Sequence, residues 1–211
     1  MFFCCIINAW KIIYCYNATE GERNMYKIEE LKRKIEEYIP TTSLEKIDKK
    51  TMLSLLDDPS ILNREQLLYH MTSSCWVVNQ EYTKVLMIYH NIYQSWSWMG
   101  GHNDGNANSY EVAKKELEEE CGIKNYISSD SKIFSLEIAP VFQHIKKGNW
   151  VPSHLHLNLT YLFVVDEQET LIVNEEETAG VKWIPIEMLD KEVREKDMLI
   201  IYHKLLDKLT K

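Results

Sequence analysis

The segment Gly100-Gly101-His102-Asn103-Asp104-Gly105-Asn106-Ala107-Asn108-Ser109-Tyr110-Glu111-Val112-Ala113-Lys114-Lys115-Glu116-Leu117-Glu118-Glu119-Glu120-Cys121-Gly122-Ile123 opens as a loop rich in glycine and asparagine. From about Ser109 to Cys121 its residues favour a helix, and Gly122 is suited to the left-handed position that ends one. On that helix Glu116, Glu119 and Glu120 stand at i, i+3 and i+4 and share a face, while Glu118 points elsewhere. Like charges crowded in this way lower stability unless a cation sits among them. Mg²⁺ is the natural choice, since it takes hard oxygen ligands and commonly combines a few carboxylates with waters and substrate phosphate. An acidic helix taken alone is usually a solvated surface, so the surrounding residues decide.

Outward from this segment the chain alternates helical and extended patterns. Upstream, Ile28, Leu31, Ile35 and Tyr38 recur at helical spacing before Pro40. Thr42 followed by Glu45 reads as a capping box for a second helix ending near Asp57-Asp58-Pro59, and Asn63 as the cap of a short helix into His70. Residues 75–78, 84–89 and 96–98 read as strands, as do 132–138, 155–165, 171–173 and 181–184 downstream; 195–209 reads as a closing amphipathic helix. The expected class is therefore α/β (α+β), a mixed β-sheet flanked by helices. The expected division is an atypical apolar segment at 1–24, a helical extension at 25–67 and the main domain at 68–211. Segment 1–24 is too short and too interrupted to span a bilayer. Met25 is read as the natural first residue, and a chain begun there is expected to keep fold and activity.

Composition narrows the function. With 24 basic and 32 acidic residues, the net charge of −8 argues against a surface built to grip a phosphate backbone, and no stable nucleic-acid complex or membrane association is expected. The five cysteines match neither a disulfide framework nor a Cys-x-x-Cys zinc site, which fits a reducing cytoplasm.

The segment 100–123 resembles the Nudix box, Gly-x5-Glu-x7-Arg-Glu-U-x-Glu-Glu-x-Gly-U with U aliphatic, when Gly101 takes its first position. Lys115 replaces the arginine, Ala107 the first glutamate, and Met99 stands where many members have proline. The three metal-type glutamates are intact, and the opening Gly-Gly-His-x-Asp-Gly looks like a variant within the superfamily. Asp104 or Glu111 would supply the missing charge. The resemblance covers about residues 68–207 and implies a Nudix-type α/β/α sandwich. It further implies Mg²⁺ (or Mn²⁺) held by Glu116, Glu119 and Glu120, and hydrolysis of a diphosphate bond in a nucleoside diphosphate linked to another group. The general base varies in the family, so Glu120, Glu175, Glu176 and Glu177 all stand as candidates. A Nudix-like module that senses a nucleotide without cleaving it is the alternative. The implied partner is a small nucleotide-type molecule, and a homodimer is compatible with this reading.

Two constellations lie outside the box. In the alternating run 153–161, His154, His156, Asn158 and Thr160 share one face of a strand and the leucines share the other. With Gly101 and His102, these two histidines are the expected substrate contacts; the competing reading is an exposed sheet face. Zinc is disfavoured there because no third and fourth ligand stand at motif spacing. Trp96, Trp98 and Trp183 could stack a base but are more often core, and Cys121 reads as structural.

Overall fold

In the computed structural model, which describes residues 20–146, 148–174 and 178–210, the chain enters through α1 (Glu20–Glu37), α2 (Ser43–Leu55) and a 3₁₀ turn at Pro59–Leu62. Strands β1 (Tyr69–Val78), β2 (Lys84–His90), β3 (Ser95–Ser97) and β4 (Met99–His102) lead into α3 (Ser109–Cys121). Then follow β5 (Ser128–Ser129), β6 (Ser135–Val141), the hairpin β7 (His144–Lys146) and β8 (Asn149–Val151), and the long β9 (His154–Val164). The chain closes with β10 (Thr178–Pro185), a 3₁₀ turn at Ile186–Met188, α4 (Leu189–Glu192) and α5 (Lys196–Leu209).

Among the described residues, the main sheet runs β10-β2-β1-β9-β5, with β3 on β2, β4 on β1 and β6 on β9. It is mixed: β1 and β9 are parallel, with His70 opposite His156 and Val78 opposite Val164, and the other pairs are antiparallel. Alternation along the strands builds two cores. Met71, Cys75, Val77, Leu157, Leu159 and Phe163 pack with Ala113 and Leu117 of α3 and Leu31 and Ile35 of α1. Trp76, Val78 and Val164 pack on the opposite side with Leu199, Tyr202 and Leu205 of α5. Helices thus cover both faces, the sandwich expected from the sequence, and each fully buried side chain of this kind contributes about 1.5–3 kcal/mol.

Local departures from the sequence reading have identifiable causes. No helix runs from Asn63 into His70. Pro59, whose fixed φ suits a first helical turn, starts the 3₁₀ turn instead, and the Asp58 carboxylate caps it by accepting the Ser60 N–H at 2.9 Å. Parallel pairing with β9 draws Tyr69 to Ser74 into the sheet, so β1 begins well before Cys75. Pairing with β1 likewise makes a strand of Gly100 to His102, expected as loop. Residues 171–173 form no strand; the Ile172 N–H donates to the Cys121 carbonyl at 3.0 Å and ties this segment to the end of α3. Thr42 does cap α2, accepting the Glu45 N–H at 3.1 Å, but Glu45 reaches the N–H of Thr41, at 2.7 Å, rather than that of Thr42. Residues 1–19 of the atypical segment lie outside the described residues, and no described helix is long and apolar enough to cross a membrane.

Candidate functional site

Strand β4 organises the site because its successive residues face different neighbours. The Gly100 N–H donates to the Glu120 carboxylate at 2.9 Å, holding a side chain that is only 4% exposed. A Cβ on Gly100 would lie 2.5 Å from the Ser74 hydroxyl and 2.8 Å from the Ser73 carbonyl, so β4 lies close against β1. A Cβ on Gly101 would overlap the Glu116 carboxylate, so this position must be bare for α3 to deliver Glu116 to the strand. The intervening loop is fixed by buried Asn103. Its amide accepts from the Ser73 hydroxyl at 2.8 Å and donates to the Asn106 carbonyl at 2.8 Å and the Ser109 hydroxyl at 3.0 Å. Gly122 ends α3 at φ 77°, with its N–H on the Glu118 carbonyl at 2.9 Å.

Of the three glutamates sharing the α3 face, Glu120 is therefore anchored to β4 and Glu116 lies against it. Glu119 is half exposed and pairs with Lys115 at 3.0 Å. Such a surface pair is worth about 0–1 kcal/mol and yields readily to a divalent cation. The donor set fits Mg²⁺ or Mn²⁺: hard carboxylates, few in number, gathered beside one strand. Both substitutes for the missing box glutamate already have cationic partners. Asp104, at φ 44°, grips Arg64 through two hydrogen bonds, which hold its carboxyl below the usual range, and Glu111 pairs with Lys114 at 3.1 Å. Glu175, Glu176 and Glu177 lie outside the described residues.

Alternation along β4 turns His102 to the face opposite Gly101, and there the fold gathers four imidazoles. The ligand atoms of His70, His102, His154 and His156 all lie within 4.8 Å of one another. β1 contributes His70, β4 His102 and β9 the other two, with Thr72 opposite His102 and His70 opposite His156 in register. Burial pushes His102 down to about 3 and His156 to about 2, and burial also lowers His70, each shift favouring the uncharged ring. The sequence reading singled out His102, His154 and His156 and missed His70. His70 comes from another strand, β1, and the available signal was that His70, Thr72 and Ser74 alternate as the run 154–160 does. Below the imidazoles, Asn158 and Thr160 are buried rather than substrate-facing. Asn158 accepts from Thr72 and Ser74 at 2.9 and 2.8 Å and donates to Glu137 at 3.0 Å, bracing β1, β9 and β6 beneath the cluster.

The tryptophans take packing roles. Trp98 meets Tyr202 edge-on at 5.5 Å, Trp96 lies under the Lys182 ammonium at 4.3 Å, and Trp183 packs against the first core. Cys121 is buried, its thiol pushed up to about 12 by burial and donating to the Leu117 carbonyl at 3.0 Å, which suits a structural residue and not a nucleophile.

Residues 68–205 match the family model described as NUDIX domain. The fold is similar to that of a C. elegans Ap4A hydrolase in a binary complex, at 17% identity and a TM-score of 0.49, covering 66% of this chain and 94% of that one. It is also similar to an E. coli dihydroneopterin triphosphate pyrophosphohydrolase (12% identity, 65% and 95% covered, TM-score 0.48). A third similar structure is the NUDIX domain of Shewanella oneidensis NrtR with ADP ribose (15% identity, 66% and 87% covered, TM-score 0.47). No curated protein matches the chain in sequence.

Proposed function

The chain belongs to the Nudix family, and from that premise we propose that it is a metal-dependent hydrolase of the diphosphate bond in a nucleoside diphosphate linked to another group. The observation that carries this reading is the seating of Glu116 and Glu120 against Gly101 and Gly100, which brings two hard carboxylates of α3 together beside β4. Glu116, Glu119 and Glu120 would hold Mg²⁺ or Mn²⁺, which when bound neutralises diphosphate charge and lowers the pKa of an attacking water. The protein's own part is to orient that water and accept its proton on a carboxylate of this face, Glu120 being a candidate base. Water adds to one phosphorus, the bridging P–O bond breaks, and the bridging oxygen leaves with the other phosphate. Gly101 and the partly exposed His102, His154 and His156 are the proposed substrate contacts.

Purified protein offered nucleoside triphosphates, dinucleotides, sugar nucleotides and coenzymes with Mg²⁺ or Mn²⁺ should release a phosphorylated product from at least one class. Glu119→Gln and Glu120→Gln should each remove most of that turnover without loss of fold by circular dichroism. Near wild-type hydrolysis in either variant at saturating metal would reject the assigned face. Tight nucleotide binding without product in the wild type would establish the sensing module instead.

A further inference from the structure

We propose that His70, His102, His154 and His156 form a second metal site, built for Zn²⁺ and not Mg²⁺, that joins the starts of β1 and β9 to the end of β4. Orientation of the rings carries the inference. His70 Nδ1 lies 3.0 Å from the Gln66 carbonyl, and His154 Nδ1 lies 2.9 Å from the Pro152 carbonyl. A carbonyl only accepts, so each Nδ1 bears the proton and each Nε2 keeps a bare lone pair. This carbonyl-anchored tautomer is the usual outer support of a metal-bound imidazole. His70 Nε2 is buried in a residue only 4% exposed and has no hydrogen-bond partner, an arrangement that costs about 1–3 kcal/mol unless something occupies the lone pair.

Spacing agrees with this reading. A tetrahedral ion with Zn–N bonds of about 2.0–2.1 Å places its ligand nitrogens about 3.3 Å apart. The Nε2 atoms of His154 and His156 already stand 3.1 Å apart, and small ring rotations close the remaining separations, none above 4.8 Å. With His154 Nε2 bare, that approach needs a proton or a cation between the rings. Four imidazole nitrogens without a carboxylate among them suit Zn²⁺ and are poor ligands for Mg²⁺, so the two ions sort by ligand chemistry. The site lies across β4 from the glutamate face and does not depend on the hydrolase reading. Under this inference the ring nitrogens of the three histidines proposed as substrate contacts are taken up by a closed four-coordinate ion, so metal content, not turnover, is the readout.

The test uses full-length, tag-free protein stripped with a chelator and titrated with Zn²⁺, with bound metal measured by mass spectrometry after desalting. One Zn²⁺ per chain is expected, retained against excess Mg²⁺ and retained in Glu119→Gln. Changing an outer support alone costs a metal site about 10–100-fold in affinity, so His70→Gln or His156→Gln should cost at least about 100-fold. Should those variants fail to fold, Co²⁺ in the wild type answers the question. A tetrahedral ligand-field band without thiolate charge transfer supports the site, and an octahedral spectrum overturns it. Absence of Zn²⁺ uptake by folded wild type, full Zn²⁺ retention in His70→Gln and His156→Gln, or its loss in Glu119→Gln would each overturn it too.

Discussion

Gly101 is a residue where one methyl group can separate position from fold. Gly101→Ala would drive the Glu116 carboxylate off β4, and a displacement of about 1 Å at a reacting centre can cost on the order of 100-fold in rate. The expected outcome is that loss in kcat/KM with an unchanged circular dichroism spectrum, measured by steady-state hydrolysis. Gly100→Ala meets the Ser73 backbone instead and should lower the melting temperature as well. The glutamates of this site were legible because helical spacing is local: Glu116, Glu119 and Glu120 lie within two turns. His70 was not, because its partners belong to other strands and Asn63 nearby carried a helix-start signal.

Among the elements, α3 was readable at both ends, and its end can be tested. Gly122 holds φ 77° with Ile172 against its Cα, where a Cβ would lie 2.8 Å from that side chain. Gly122→Ala should therefore destabilise the protein by at least about 1–2 kcal/mol, read as a lower urea midpoint at unchanged m-value. β4 was not readable as a strand. Two of its four residues are glycines, which carry no side-chain pattern, and its extended form comes from pairing with β1. The 171–173 run failed for the opposite reason: its apolar character is real, but Leu171 packs on the core from outside the sheet while the Ile172 backbone ties to the end of α3.

At the scale of the molecule, a buried ion network fastens the leading helices to the sheet and to α5. Glu45, with no exposed surface, accepts from Ser135 at 2.9 Å and meets Lys208 at 2.5 Å and Lys204 at 3.3 Å, while Glu137 takes Lys204 at 2.9 Å. Burial alone would raise the Glu45 pKa, but Lys208, the Thr41 N–H and the Tyr38 hydroxyl outweigh it and hold the group at about 2, below its usual 4.5. A depressed carboxylate stabilises the fold above its unfolded pKa, so this contribution is full above pH 4.5 and fades as pH falls toward 2. Glu45→Gln should cost about 3–5 kcal/mol near neutrality by leaving Lys208 without its carboxylate and Lys204 with Glu137 alone, and should flatten the acid limb of a melting temperature–pH profile in that window. In sequence Glu45 reads only as a capping residue, since Lys204 and Lys208 lie at the far end of the chain. The parallel pairing of β1 with β9 has a consequence in time. Its partners are 86 residues apart, and a parallel pair cannot be closed by a tight turn. As the chain emerges during synthesis, β1 is made long before β9 and waits with one edge unpaired, which is when a second nascent copy can most easily add to it.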